Sequence, residues 1–236
     1  MTVEASPSTQ LPTASSPAIV PAVDSRYATP RLWADAQRRN LATLLVEQAH
    51  LEKKAAACAV QFLFRVPVAA NGHKALSALA REELVHFERT LRLLQQRGLA
   101  LTPLPPCDYA GKLKAGCSSR MPERLVDELL VAGIIEARSH ERLQLLAAAL
   151  PGHDDELASF YADLGAAEER HEGIYVDLAG EVLPPAVVAA RHRALLAHEA
   201  AVLRELPFGP RLHSGVAGLA GAVAACEQGS LRASPS

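Results

Sequence analysis

Between Trp33 and Phe64, apolar side chains return at Leu41, Leu44, Leu45, Ala49, Ala56, Ala59 and Leu63, a three-to-four spacing that predicts one long helix with a buried stripe. Pro67 and the Asn71-Gly72 pair end that run. A second helix is predicted from His73 to Arg97, closed by Gly98, with basic Arg97 suiting the negative helix end. Pro103, Pro105 and Pro106 then impose an irregular connection to Arg120. Pro122 and Glu123 suit the first turn of a third helix reaching Leu150. Pro151-Gly152 makes a turn, and Asp154, Asp155 and Glu156 open a fourth helix that runs to Ala179. A shorter fifth helix is expected between Pro185 and Leu206.

Short links join the first helix to the second and the third to the fourth, so each pair should fold as an antiparallel hairpin, with the stretch from Gly98 to Arg120 crossing between them. Two hairpins and one long crossover form the ferritin-like connection pattern. The expectation is therefore an all-α, ferritin-like four-helix bundle with one long crossover and an additional C-terminal helix. It would occupy residues 31–215, between a disordered Ser/Thr/Pro-rich lead (1–30) and a flexible Gly/Ala-rich tail (216–236).

Composition adds constraints. The 236 residues are 49% apolar but only 4% aromatic, so Leu, Ala and Val must fill the core. A net charge of -2 gives no bulk attraction for nucleic acid and leaves only a local basic face to provide it. Cys58, Cys107, Cys117 and Cys226 follow no metal-binding or disulfide spacing, which favours a reducing compartment. The lead lacks a basic start followed by an apolar run, and no stretch has the roughly 18 apolar residues of a membrane span. A cytoplasmic protein with no membrane partner is expected.

The chemistry lies in two repeated pairs. Glu83 and His86 sit three apart on the second helix, as do Glu168 and His171 on the fourth, so each pair shares a face. Those faces are otherwise apolar: Leu76, Leu79, Phe87 and Leu94 beside Glu83, and Tyr161, Leu164, Tyr175 and Leu178 beside Glu168. A buried carboxylate requires a partner or a proton. Glu52 and Glu136, on the other two helices, have Ala or Gly one turn away, which leaves room for a cluster. Counting about 1.5 Å per residue from the first turn puts Glu52 and Glu83 at heights of roughly 18 and 15 Å, and Glu136 and Glu168 match about the second turn.

One Glu from each of two helices plus a Glu-x-x-His from each of the other two is the inventory of a bundle-borne di-metal site. Glu52, Glu83, His86, Glu136, Glu168 and His171 are the candidate metal ligands. Two divalent ions would balance four carboxylates, and oxygen with imidazole donors leaves iron and manganese both open. Taken singly, each glutamate has the ordinary alternative of a surface salt bridge, with Arg81, Lys53 or Arg138 as partner. Glu82 and Glu169 should face outward. His140, one turn beyond Glu136, reads equally as a supporting residue, a core histidine or a ligand. His50, His73, His153, His192, His198 and His213 read as surface, cap or pairing residues, Cys58 as core, and Tyr175 as packing.

At these residues the chain resembles the bacterial tRNA hydroxylases that act on 2-methylthio-N6-isopentenyladenosine. The resemblance rests on Glu52-Lys53-Lys54-Ala55-Ala56, on the run from Leu79 through Arg81-Glu82-Glu83-Leu84-Val85-His86 to Glu88, on Ile135-Glu136-Ala137-Arg138-Ser139, on Glu168-x-x-His171, and on Arg211-Leu212-His213-Ser214-Gly215. It covers about Arg31 to Gly215. Glu47-Gln48-Ala49-His50-Leu51 departs from the family's usual Asp-His-Ala-Asn-Cys-like approach to the first ligand.

The resemblance implies a di-iron monooxygenase that takes dioxygen and electrons from an external electron-transfer protein or reductase. It would hydroxylate the isopentenyl group of the modified adenosine beside the anticodon, with the six residues above as iron ligands. A tRNA partner would need positive surface, for which Lys53, Lys54, Arg89, Lys112, Lys114, Arg120, Arg138 and Arg142 are the candidates. A di-iron oxygenase of a small lipid or metabolite, and a ferritin-like iron-oxidising or peroxide-consuming protein, use the same ligands and stay open on the residues.

Overall fold

In the computed structural model, which describes residues 26–66 and 70–224, the chain is built from seven named helices. They are α1 (Arg31–Gln37), α2 (Leu41–Leu63), α3 (Ala70–Gln96), α4 (Tyr109–Lys114), α5 (Glu123–Ala149), α6 (Asp155–Val182) and α7 (Pro185–Glu205). The long helices α2, α3, α5 and α6 form the bundle as two hairpins, α2 with α3 and α5 with α6, and α7 packs on the outside. The architecture is the ferritin-like one. Among the described residues no helix is long and apolar enough to cross a membrane.

The anticipated stripes face inward. Leu76, Leu79 and Leu94 on α3 and Tyr161, Leu164, Tyr175 and Leu178 on α6 are all buried, in two apolar clusters toward opposite ends of the bundle, while Phe87, expected on the α3 stripe, is only half-buried. The tight α5–α6 turn has Gly152 at φ 73 and caps α6 with Asp154, whose side chain accepts from the Leu157 amide at 3.0 Å and pairs with Arg97. Small residues bring the pair close: a Cβ at Gly133 would already touch the Glu172 carbonyl oxygen at 3.4 Å.

The structure departs from the sequence reading in five places. The first predicted helix is two, because the chain breaks at residues 38–40, where Asn40 donates from Nδ2 to Gln37 Oε1. That break turns α1 so that Trp33 is fully buried against the C-terminal segment. The helix α3 takes in Asn71 and Gly72, which local turn propensity had placed in the link. The crossover contains α4, anchored by buried Tyr109 and Leu113. Residues 216–224, expected to be loose, run back along the end of α7, with Val216 N–H donating to Leu203 O and Leu219 buried. At the other end, Thr29 is pinned to Glu141 through both its amide and its hydroxyl. The rest of the expected lead (1–25) and tail (225–236) lies outside the described residues.

Candidate metal centre

Glu52 on α2, Glu83 and His86 on α3, and Glu168 on α6 each bring one donor atom within 4.8 Å of the others. His171 places Nδ1 2.7 Å from Glu83 Oε1 and 3.5 Å from Glu168 Oε2. Glu136, from α5, is not within that 4.8 Å set but lines the adjoining cavity beside Glu52 and Glu168. None of the six exposes more than 6% of its surface.

The donor atoms aim at a shared space more than at one another. Both Glu83 oxygens, Glu168 Oε2, His86 Nδ1 and His171 Nδ1 are buried without a hydrogen-bond partner. Even the 2.7 Å approach of His171 to Glu83 lacks hydrogen-bond alignment. One buried unsatisfied group costs about 1–3 kcal/mol, so five converging on one point call for something to bind. Carboxylate oxygens and imidazole nitrogens in that number suit divalent iron or manganese.

Protonation follows from the crowding. Burial, then the negative charges of Glu168 and Glu83, hold both Glu52 and Glu136 well above the usual carboxylate range. Burial would also raise Glu83, but the neighbouring His171, His86 and Glu52 outweigh it and leave Glu83 at about 2. Burial would lower His171, yet its close contacts with Glu168 and Glu83 lift it to about 10. The cluster thus keeps protons on some donors, and cations would displace them.

One supporting residue corrects the sequence reading. Glu82, expected to face outward, turns its Oε2 to within 3.2 Å of His171 Nε2, while its Oε1 accepts from Arg170 Nη2 at 2.5 Å. An arginine-steadied carboxylate on the far nitrogen fixes the ring orientation and leaves Nδ1 facing the cluster. We expect Glu82→Gln to weaken metal binding about 10–100-fold without unfolding the protein; competitive chelator titration with a parallel thermal melt checks both.

On the opposite side, a cavity of about 440 Å³ opens between α2, α4, α5 and the C-terminal segment, and Glu52, Glu136 and Glu168 form part of its wall. Phe62, Val131, Ala132 and Ile135 make an apolar lining, while Lys54, Arg65 and Lys114 also border it. Arg65 is paired with Glu128. The size is within the ordinary range of small-molecule sites.

Other candidates fall elsewhere. His140 Nδ1 lies 2.7 Å from the Gly165 carbonyl and does not join the cluster. Tyr175 packs edge-on to Phe62, ring centroids 5.7 Å apart, with its buried hydroxyl lacking a hydrogen-bond partner. Arg138 and Arg142 are not basic surface: both are buried, Arg138 against Glu199 and Glu141, Arg142 against backbone carbonyls. Arg89 is paired with Asp163. Except for Glu141, three residues from Arg138, these partners are distant in sequence and left no local mark there.

A family model described as tRNA-(MS[2]IO[6]A)-hydroxylase (MiaE) matches residues 22–214. The chain is 35% identical over 200 residues to the tRNA 2-(methylsulfanyl)-N(6)-isopentenyladenosine(37) hydroxylase of Pseudomonas putida, covering 84% of this chain and 96% of that one. It is 33% identical to the Salmonella typhimurium protein of the same name, over 58% of this chain and 50% of the other. A solved structure, protein 43 with aldehyde deformylating oxygenase activity from Synechococcus, superposes with a TM-score of 0.74 at 40% identity, covering 80% of this chain and 94% of that one.

Proposed function

The chain belongs to the MiaE family of tRNA hydroxylases, di-iron monooxygenases on a ferritin-like fold, and from that premise we propose that it hydroxylates the isopentenyl group of 2-methylthio-N6-isopentenyladenosine beside the anticodon. Glu52, Glu83, His86, Glu136, Glu168 and His171 would hold two irons. The observation that carries the reading is the apolar cavity, walled by three of those carboxylates and bordered by lysine and arginine.

When bound, the iron pair supplies the activation of dioxygen. The chain's own side chains do the rest. Phe62, Val131, Ala132 and Ile135 exclude water and bury the alkenyl group beside the carboxylates. Lys54 and Lys114 supply positive charge for RNA phosphates, contacts that position a substrate without reading its sequence. The reaction balances as one C–H bond, one dioxygen, two electrons and two protons giving one C–OH and one water. The electrons come from an external electron-transfer protein or reductase.

The 40% identity to the Synechococcus oxygenase favours a second reading, oxidation of a small apolar aldehyde or lipid in the same cavity. The two separate in one assay. Iron-loaded protein with reductant and dioxygen is given either an anticodon stem-loop carrying the modified adenosine or a long-chain aldehyde, followed by mass analysis. Gain of one oxygen on the nucleoside is the expected result. Conversion of the aldehyde with an untouched nucleoside would replace this reading with the second.

A further inference from the structure

The motif Arg211-Leu212-His213-Ser214-Gly215 contributes no donor to the cluster, yet a set of buried polar groups holds it in place. Arg142 Nη1 donates to the carbonyls of Leu212 and Ser214, each at 2.6 Å, and its guanidinium lies 4.6 Å over the Trp33 ring. Trp33 Nε1 donates to Ser214 Oγ at 3.0 Å, and Glu47 Oε2 accepts from the Leu212 amide at 2.6 Å. A Cβ on Gly215 would come within 1.8 Å of the Leu206 carbonyl oxygen, so the crossing is open only to glycine. Each of these contacts buries a polar group that would be left unsatisfied without its partner, which holds the loop to one position.

That position delivers His213 to the cavity wall. Its ring stacks on Tyr109 at 4.9 Å and 13°, and its Nε2 lies 3.0 Å from Ser139 Oγ, which also lines the cavity. Ser139 follows Glu136 by three residues on α5, a rise of about 4.5 Å. A polar station therefore stands roughly one helical turn along the wall from a carboxylate of the cluster. Burial, then the charges of Arg142 and Arg138, push the His213 pKa down to about 3, so the ring is neutral at ordinary pH. A neutral imidazole offers one donor and one acceptor, which suits the edge of an uncharged heterocycle better than a phosphate.

We propose that His213 and Ser139 form the subsite that hydrogen-bonds the polar edge of the substrate's purine, and so fix which carbon of the attached alkenyl group faces the carboxylates. The inference rests on the substrate reading above. In that substrate four bonds separate the terminal methyl from the exocyclic nitrogen, a reach comparable to one helical turn of about 5.4 Å.

The test uses the full-length, iron-loaded protein and an anticodon stem-loop bearing the isopentenyl-modified adenosine. Stem-loop Kd by fluorescence anisotropy, KM and kcat, the site of hydroxylation and the iron content are measured for wild type, His213→Ala, Ser139→Ala and His213→Gln. Both alanine variants should keep their iron, weaken binding and raise KM about tenfold, as loss of a buried hydrogen-bond partner predicts, and place oxygen on more than one carbon. His213→Gln, which keeps a donor and an acceptor, should recover part of the loss. Wild-type Kd, KM and hydroxylation site in both alanine variants overturn the subsite while leaving the substrate reading intact. A wild-type protein that leaves the stem-loop unmodified overturns both. Should His213→Ala fail to fold, Ser139→Ala decides, because it leaves the Arg142 clamp untouched.

Discussion

Glu83→Ala is expected to abolish iron binding at the cluster and hydroxylation with it, the largest effect of any single substitution in this protein. Glu83 is the hub: His86 Nδ1 lies 3.7 Å from one of its oxygens and His171 Nδ1 2.7 Å from the other, and Glu52 joins the same cluster. Both oxygens are buried and lack a hydrogen-bond partner, so both are free to serve as metal donors. Losing it would remove a donor from the centre of the ligand set, so metal affinity should fall by more than the roughly 10–100-fold attached to an outer-partner change such as Glu82→Gln. Metal analysis after desalting, set beside product formation, reads the outcome. An alanine variant that retains about two irons per chain and wild-type turnover would remove Glu83 from the ligand set and undo the proposed site.

Much of this arrangement was legible because periodicity and charge disagreed. A glutamate among Leu76, Leu79 and Leu94, and another among Tyr161, Leu164, Tyr175 and Leu178, are anomalies on stripes that are otherwise core, and the structure buries both. Counting residues from the two turns was enough to expect the acids at one level, because rise per residue is fixed, and Glu52, Glu83 and Glu168 do lie together. What escaped was whatever depends on partners far away in sequence. Arg142 meets carbonyls 70 and 72 residues downstream, and Arg138 meets Glu199 61 residues away, so both looked like surface charge. Glu82 escaped for a different reason. About 100° separates neighbours on a helix, so a residue beside a buried one is assigned to solvent, whereas a side chain of this length can bend back to His171 while staying partly exposed. The break before α2 and the short α4 were missed because each is fixed by docking, of Trp33 and of Tyr109, and not by local propensity.

The same crowding predicts an unusual pH dependence once metal is removed. Glu52 and Glu136 are held well above 4.5 in the folded protein, so each binds a proton there that the unfolded chain releases. His171 is raised from 6.5 to about 10. For groups with raised folded pKa values, stabilisation is complete below the unfolded pKa and is lost as pH climbs through the folded one. The acids thus erode stability from about 4.5 upward and His171 between 6.5 and about 10. Glu83 has the opposite sign, but its window, between 4.5 and about 2, is already passed. Metal-free protein should therefore melt at progressively lower temperature from pH 5 to 9, while the iron-loaded form, whose ligands have exchanged protons for cations, should show a much weaker slope. Glu136→Gln sharpens the contrast. A neutral amide relieves the repulsion from Glu168 and Glu83, so this variant should be more stable than wild type at pH 8 without metal and less able to bind it. Thermal melts of chelated and reconstituted protein across that range supply the measurement. A metal-free Glu136→Gln protein that is destabilised at pH 8, with an unchanged pH slope, would mean that the acidic cluster stores no such repulsion and that its glutamates are held by the fold in some other way.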